Sequence, residues 1–366
     1  MSSAGSYSLE MIRRLAVSAV ATVAVMTTVI GCSSSENNAS SSSTTETRPT
    51  RATTTTQLPD QKAVPSSGCG TTQVLSVKEK KTFLDDSNRW YLLSTPLTHD
   101  GDTPLPLVVD FHGWTEGAAI HSKLGDLATT GDEEGFIVVQ PEGTDVPVRW
   151  GFGTDPKINT DLEFVTELLD ELEAKLCVDR SRVYATGFSN GAMLSSSLAC
   201  VMADRFAAIA PVAGVSMFDG CKPTRPVPVL AVHGTADDIL KFNGGGGAGV
   251  ARLAGSEDSA NDTPAETTEV DINGPGYPAA AQKWADLNGC KPDPTDSKFT
   301  DSVIRRTWDC PQGGDVEFLI VNGGGHSWPG SRFAAAASSL LGSTDMSFSI
   351  NDEMWKFFSR FTVQPK

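Results

Sequence analysis

The stretch Arg182-Val-Tyr-Ala-Thr-Gly-Phe-Ser-Asn-Gly-Ala-Met-Leu-Ser-Ser-Ser-Leu-Ala-Cys200 holds one serine, Ser189, where a strand-like run turns into a helix-like run. Residues 183–186 are β-branched, aromatic or small, and residues 192–200 carry good helix formers at helical spacing. Gly187 and Gly191 flank the serine two residues to either side. A turn this tight needs glycine at both positions, because a side chain there would collide with the neighbouring strand or helix. It exposes the serine hydroxyl, with the Asn190 N–H and a helix N-terminus facing any oxyanion that forms. An idle serine in a glycine-rich turn would look the same, so the other parts of a nucleophilic site must be sought along the chain.

From residue 69 strand and helix signals alternate. The apolar runs 107–111, 136–140, 183–186, 207–212, 227–232 and 316–321 read as buried strands of a parallel sheet. Between them, residues 161–176 place Leu162, Val165, Leu168, Leu169, Leu172 and Leu176 at helical spacing with acidic residues opposite, as a helix covering one sheet face does. Weaker helices are expected near 118–129, 279–287 and 351–361. Residues 242–277, with Gly244-Gly-Gly-Gly247, read as a long surface insertion. The fold class is therefore α/β, a mostly parallel central sheet with helices on both faces, and 366 residues at 39% hydrophobic suit one core plus extensions.

An activated serine needs a general base and an acid to orient it, and the chain has only five histidines: His99, His112, His121, His233 and His326. On a strand-turn-helix scaffold the order is serine, acid, histidine, each on a loop after a strand. His326 follows the 316–321 run in Gly323-Gly-Gly-His-Ser-Trp-Pro-Gly330, a loop too glycine-rich to pack as core, and is the expected base. His233 opens His233-Gly-Thr-Ala-Asp-Asp238 and is read as structural; either Asp237 or Asp238 could be the acid. A second oxyanion donor is expected after an earlier strand, where Asp110-Phe-His-Gly-Trp114 makes the Trp114 N–H the partner of the Asn190 N–H. Trp114, Trp150 and Trp328, with Phe152, fall in loops expected to open on the same mouth and to line a substrate cleft, with core packing the alternative.

The formal net charge of −16 disfavours a nucleic-acid partner and predicts no attraction to anionic lipid, so membrane association requires an anchor. Arg13-Arg14 followed by the uncharged apolar run 15–30 reads as a signal peptide over residues 1–31, with Met11 an alternative start. Val29-Ile-Gly-Cys32 resembles the lipobox of bacterial lipoproteins, which implies lipidation of Cys32. Residues 32–68 are Ser/Thr-rich and poor in large apolar groups, a tether that cannot offset its ordering entropy by burial, and the catalytic domain is expected over 69–366. Cys69, Cys177, Cys200, Cys221, Cys290 and Cys310 are an even number in an exported chain and imply three disulfides.

The blocks Phe111-His-Gly-Trp114, Cys177-Val-Asp with Arg182 to Met193, Phe206-Ala-Ala-Ile-Ala-Pro-Val-Ala-Gly214, His233-Gly-Thr-Ala-Asp237, Trp284-Ala-Asp-Leu-Asn-Gly-Cys290 and Gly324-Gly-His-Ser-Trp-Pro-Gly330 together resemble the polyhydroxybutyrate depolymerase and feruloyl esterase family of α/β-hydrolases. The resemblance spans residue 69 to the C-terminus. It implies Ser189 as nucleophile, Asp237 as acid and His326 as base, and disulfides Cys69–Cys177, Cys200–Cys221 and Cys290–Cys310. The insertion after Phe242 and residues 331–349 depart from the family pattern, and Trp150-Gly-Phe-Gly153 stands where many relatives carry Trp-Asn-Ala-Gly.

The expected protein is an exported serine esterase, lipid-anchored at the cell envelope or secreted, that needs no metal or organic cofactor and acts on hydroxyalkanoate-oligomer or hydroxycinnamoyl esters. Acyl transfer to an alcohol, and a silent ligand-binding lipoprotein, are the alternatives.

Overall fold

The structure, a computed structural model, describes residues 62–71, 78, 80–84, 88–253 and 269–365. The signal peptide, Met11, Cys32 and most of the tether lie outside the described residues, as do residues 254–268 of the insertion. In chain order the strands are β1 (Lys80–Phe83), β2 (Trp90–Ser94), β3 (Leu105–Phe111), β4 (Ile137–Pro141), β5 (Val178–Phe188), β6 (Ala208–Val212), β7 (Val229–Gly234), β8 (Thr295–Lys298), β9 (Val303–Thr307) and β10 (Val316–Val321). The helices are α1 (Gly117–Gly125), α2 (Leu127–Glu134), α3 (Asp161–Lys175), α4 (Asn190–Val201), α5 (Gly249–Leu253), α6 (Tyr277–Leu287), α7 (Arg332–Ala336), α8 (Ser338–Leu341) and α9 (Ile350–Phe358).

The strands form one sheet in the order β1-β2-β4-β3-β5-β6-β7-β10-β9-β8. From β4 to β10 every pairing is parallel, while β1, β2, β8 and β9 run antiparallel at the edges. All six expected strands are in the parallel centre, where burial on both faces makes a strand a continuous apolar run. The edge strands lack that signal: β1 and β8 are almost wholly exposed and polar and carry no such run.

Side chains alternate between two cores, as the period of two along a strand requires. Val183 and Ala185 of β5 join Leu107, Val109 and Phe111 of β3 in a core completed by Val165, Leu168, Leu169 and Leu172 of α3, Leu194 and Leu198 of α4 and Trp284 of α6. Tyr184 and Phe188 face the other way, with Leu124, Leu127, Met354, Phe357 and Phe358 from α1, α2 and α9. The helix expected over 118–129 is broken at Asp126, which takes a left-handed φ of 46° between α1 and α2.

Pro65 bridges Asp179, the Ser66 N–H donates to Val178 O at 2.9 Å, and the Ser66 hydroxyl donates to Leu176 O at 2.6 Å, so the last residues assigned to the tether are pinned to the start of β5. The insertion is also partly built in, since Phe242 is 2% exposed and packs in the core.

The three disulfides join Cys69 to Cys177, Cys200 to Cys221 and Cys290 to Cys310, the pairing the resemblance implies. The first closes the longest loop, 108 residues, and ties the 64–69 segment to the α3–β5 junction. Replacing Cys69 and Cys177 together by serine is predicted to lower unfolding stability by about 2–5 kcal/mol. Urea denaturation checks this; an unchanged midpoint would contradict it.

Candidate active site

The C-terminal ends of β3, β5, β7 and β10 meet on one edge of the sheet and carry, respectively, the 112–116 loop, Ser189, Asp237 and His326. At the β5–α4 turn a Cβ on Gly191 would stand 2.1 Å from Phe111 O, and one on Gly187 would stand 2.7 Å from it. Both glycines are therefore required for α4 to leave β5 against the end of β3. Ser189 between them has φ 54°, a strained value for a residue with a side chain, and its N–H is tied to Val212 O at 2.9 Å. The turn leaves Ser189 7% exposed at the head of α4.

Asp237 faces two histidines. Its Oδ2 accepts from His326 Nδ1 at 2.7 Å and lies 3.1 Å from His233 Nε2, while its Oδ1 accepts the N–H groups of Ile239 at 2.9 Å and Leu240 at 2.8 Å. Burial would raise this carboxyl's pKa, but His326 and the hydrogen bonds from both histidines outweigh that and hold it well below the usual carboxylate range. Asp238, by contrast, is half-exposed and pairs with Arg252 at 2.6 Å. His233 also donates to Leu240 O at 2.8 Å and stacks on Tyr277 with centroids 3.7 Å apart. With Nδ1 of His326 donating to Asp237, its Nε2 must be the basic nitrogen; that atom is buried with no hydrogen-bond partner among the described residues. No hydrogen bond joins the Ser189 hydroxyl to the pair among the described residues, as is common before substrate binds.

The loop after β3 is clamped peptide by peptide. The amide linking His112 and Gly113 accepts from Trp150 Nε1 at 3.0 Å on its oxygen and donates to Glu116 Oε2 at 2.6 Å from its nitrogen. The next amide is held through Gly113 O by His112 Nδ1 at 2.7 Å. A trans amide points its C=O and N–H in opposite directions, so anchoring Gly113 O aims the Trp114 N–H the other way. That His112 contact makes Nδ1 the donor, and Nε2 accepts the Gly143 N–H at 2.9 Å. His112 is therefore neutral, and burial lowers its pKa to about 4.

Two expected cleft residues are core instead. Trp150 is 1% exposed and packs against Phe111, His112 and Phe164, and both its backbone groups are held by the Asn190 side chain. Trp328 is 1% exposed, donates Nε1–H to Asn351 Oδ1 and sits edge-on to His121. Each belongs to a site loop, but its ring turns inward and supports that loop from below. Trp114 is half-buried, and Phe152, 49% exposed, stacks on Phe218 at 6.1 Å. His112, Glu116 and His121, which hydrogen-bond in and beneath this loop, have no role in the sequence reading. The signal that could have found them is the density of ionisable groups, Asp110 to His121, directly after a buried strand.

Among curated proteins the chain is 28% identical over 246 residues to feruloyl esterase B of Piromyces equi, covering 65% of this chain and 42% of that protein. It is 34% identical over 137 residues to the bifunctional acetylxylan esterase/xylanase XynS20E of Neocallimastix patriciarum, covering 37% of this chain and 20% of that protein. It is 31% identical over 257 residues to the "Putative esterase NocK" of Nocardia uniformis subsp. tsuyamanensis, covering 68% of this chain and 72% of that protein. The chain thus spans less than half the length of the first two relatives. No family model matches it.

The state of His112 has a consequence for stability. Its pKa is about 4 folded against 6.5 unperturbed, so between these values the unfolded chain binds the proton and the folded chain does not. Its contribution is complete above pH 6.5 and lost as pH falls toward 4. Urea midpoints measured across this window should fall on acidification in the wild type and fall less steeply in His112→Gln; equal slopes would show that His112 is not held neutral.

Proposed function

The chain belongs to the feruloyl esterase and acetylxylan esterase family of α/β-hydrolases, and from that premise we propose that it hydrolyses carboxylic esters through an acyl-enzyme on Ser189. The observation that carries the reading is the buried Asp237–His326 pair, 2.7 Å apart, on the same sheet edge as the strained Ser189 turn. In the reaction His326 Nε2 takes the hydroxyl proton as Ser189 Oγ bonds to the ester carbonyl carbon. Asp237 holds the imidazolium through Nδ1, and the Trp114 and Asn190 N–H groups receive the developing oxyanion. Collapse of the tetrahedral adduct breaks the carbon–alkoxide bond, and the proton passes from His326 to the departing alcohol. Water then repeats the sequence on the acyl-enzyme, releases the carboxylic acid and returns the proton to Ser189.

Three rings support the substrate class, Phe152 exposed and Trp114 and Phe218 half-buried. The Phe152–Phe218 pair is placed beside α4, because the adjoining Gly153 N–H donates to Ser197 Oγ at 2.8 Å, and Trp114 stands at the oxyanion loop. Rings at these places favour hydroxycinnamoyl or short hydroxyalkanoate esters over long free acyl chains. Three disulfides fit an exported protein, and lipidation at Cys32 would hold it at the cell envelope.

Ser189→Ala is expected to lower kcat on a p-nitrophenyl ester by about 10⁴–10⁶ with the fold intact. Asp237→Asn should lose about 10⁴, and Asp238→Asn very little, because only the former faces His326. The reverse order would make Asp238 the orienting acid. For substrate, initial rates on methyl ferulate and a hydroxybutyrate trimer should exceed those on a triglyceride emulsion, and preference for the emulsion would contradict the ring argument.

A further inference from the structure

Beneath the 112–116 loop lies a group of ionisable side chains that the proposed reaction does not use. His121 of α1 is fully buried, with Nε2 2.7 Å from Asp110 Oδ1 and Nδ1 3.2 Å from Glu116 Oε1. Carboxylate oxygens accept only, so both ring nitrogens must donate and the ring is an imidazolium. Burial alone would push its pKa down, but Asp110 and Glu116 together outweigh that and hold it at about 10. The second Asp110 oxygen accepts from Gln140 Nε2 at 2.9 Å, and the second Glu116 oxygen accepts the Gly113 N–H at 2.6 Å. A continuous chain of charge-assisted hydrogen bonds therefore runs from β4 through Asp110, His121 and Glu116 to the backbone one residue before Trp114.

We propose that Glu116, braced by His121 and Asp110, is a positioning residue that sets the orientation of the Trp114 N–H in the oxyanion hole. The inference rests on the ester-hydrolase reading above and deepens it. The Gly113 N–H and its neighbouring amide form one short strap: His112 fixes the strap's oxygen side and Glu116 its nitrogen side, leaving the Trp114 N–H as the group that faces the cleft. Because Glu116 touches neither the serine nor the substrate, its loss should act on the transition state through donor alignment and leave ground-state binding nearly unchanged.

Two substitutions separate positioning from general support. Glu116→Ala removes the acceptor for the Gly113 N–H and is expected to lower kcat on p-nitrophenyl acetate by about 10²-fold, the loss that a displacement near 1 Å produces, with KM nearly constant. Glu116→Gln keeps a carbonyl oxygen for that N–H. Without the Glu116 charge, burial lets His121 give up its Nδ1 proton, and that nitrogen then accepts from the glutamine NH₂, so most of the wild-type kcat should return. Should Glu116→Ala not fold, Glu116→Asp, which keeps the charge but withdraws the oxygen from Gly113, should show the same loss in kcat.

The wild type and Ser189→Ala, assayed beside these variants, keep the two claims distinct. If the wild type is inactive or Ser189→Ala is fully active, the ester-hydrolase reading fails. If those controls behave and Glu116→Ala turns over like the wild type, or raises KM instead of lowering kcat, or Glu116→Gln is as impaired as Glu116→Ala, the positioning role is overturned.

Discussion

The approach of Gly191 to the Phe111 carbonyl is the contact on which the site depends. Only a residue without Cβ lets α4 begin against the end of β3, since a methyl group there would stand 2.1 Å from the oxygen. That closeness brings the Asn190 N–H and the loop after β3 to the same small volume, with Ser189 held between them at φ 54°. The strain is balanced by the surrounding sheet, which is parallel and buried on both faces at this point. Asn190 extends the arrangement outward: its side chain bonds both backbone groups of Trp150, which fixes the loop carrying Phe152.

Three histidines around this turn are held in different states by their neighbours. His112 is neutral because one nitrogen must donate to a carbonyl and the other must accept from an amide. His121 is charged because both nitrogens face carboxylates. His326 has one nitrogen engaged by Asp237 and the other without a partner among the described residues, the condition a general base requires. Sequence cannot distinguish these states, since each depends on what the fold brings opposite each nitrogen.

The legible parts of the chain were those governed by local rules. The six central strands read as apolar runs, the α3 face read from leucine spacing, and the Gly-x-Ser-x-Gly turn read from sterics. The edge strands did not, because β1 and β8 are exposed and owe their state to pairing with β2 and β9. Trp150 and Trp328 are expected at the cleft because their loops open on the same mouth. A loop can reach the site while its largest ring turns back to fill the core, and ring direction is not encoded by proximity in sequence. Asp237 and Asp238 could not be told apart by residue type either; the Ile239 and Leu240 N–H groups that fold around one carboxylate decide which faces His326.

The central claim is that Ser189 attacks while the Trp114 and Asn190 N–H groups receive the oxyanion, and a crystal structure of the protein inactivated by a p-nitrophenyl phosphonate tests it most directly. The account predicts phosphorus bonded to Ser189 Oγ, with the phosphoryl oxygen about 3 Å from both nitrogens and His326 Nε2 within hydrogen-bond reach of the adduct. An adduct on another serine, or a phosphoryl oxygen turned away from the 112–116 loop, would contradict it.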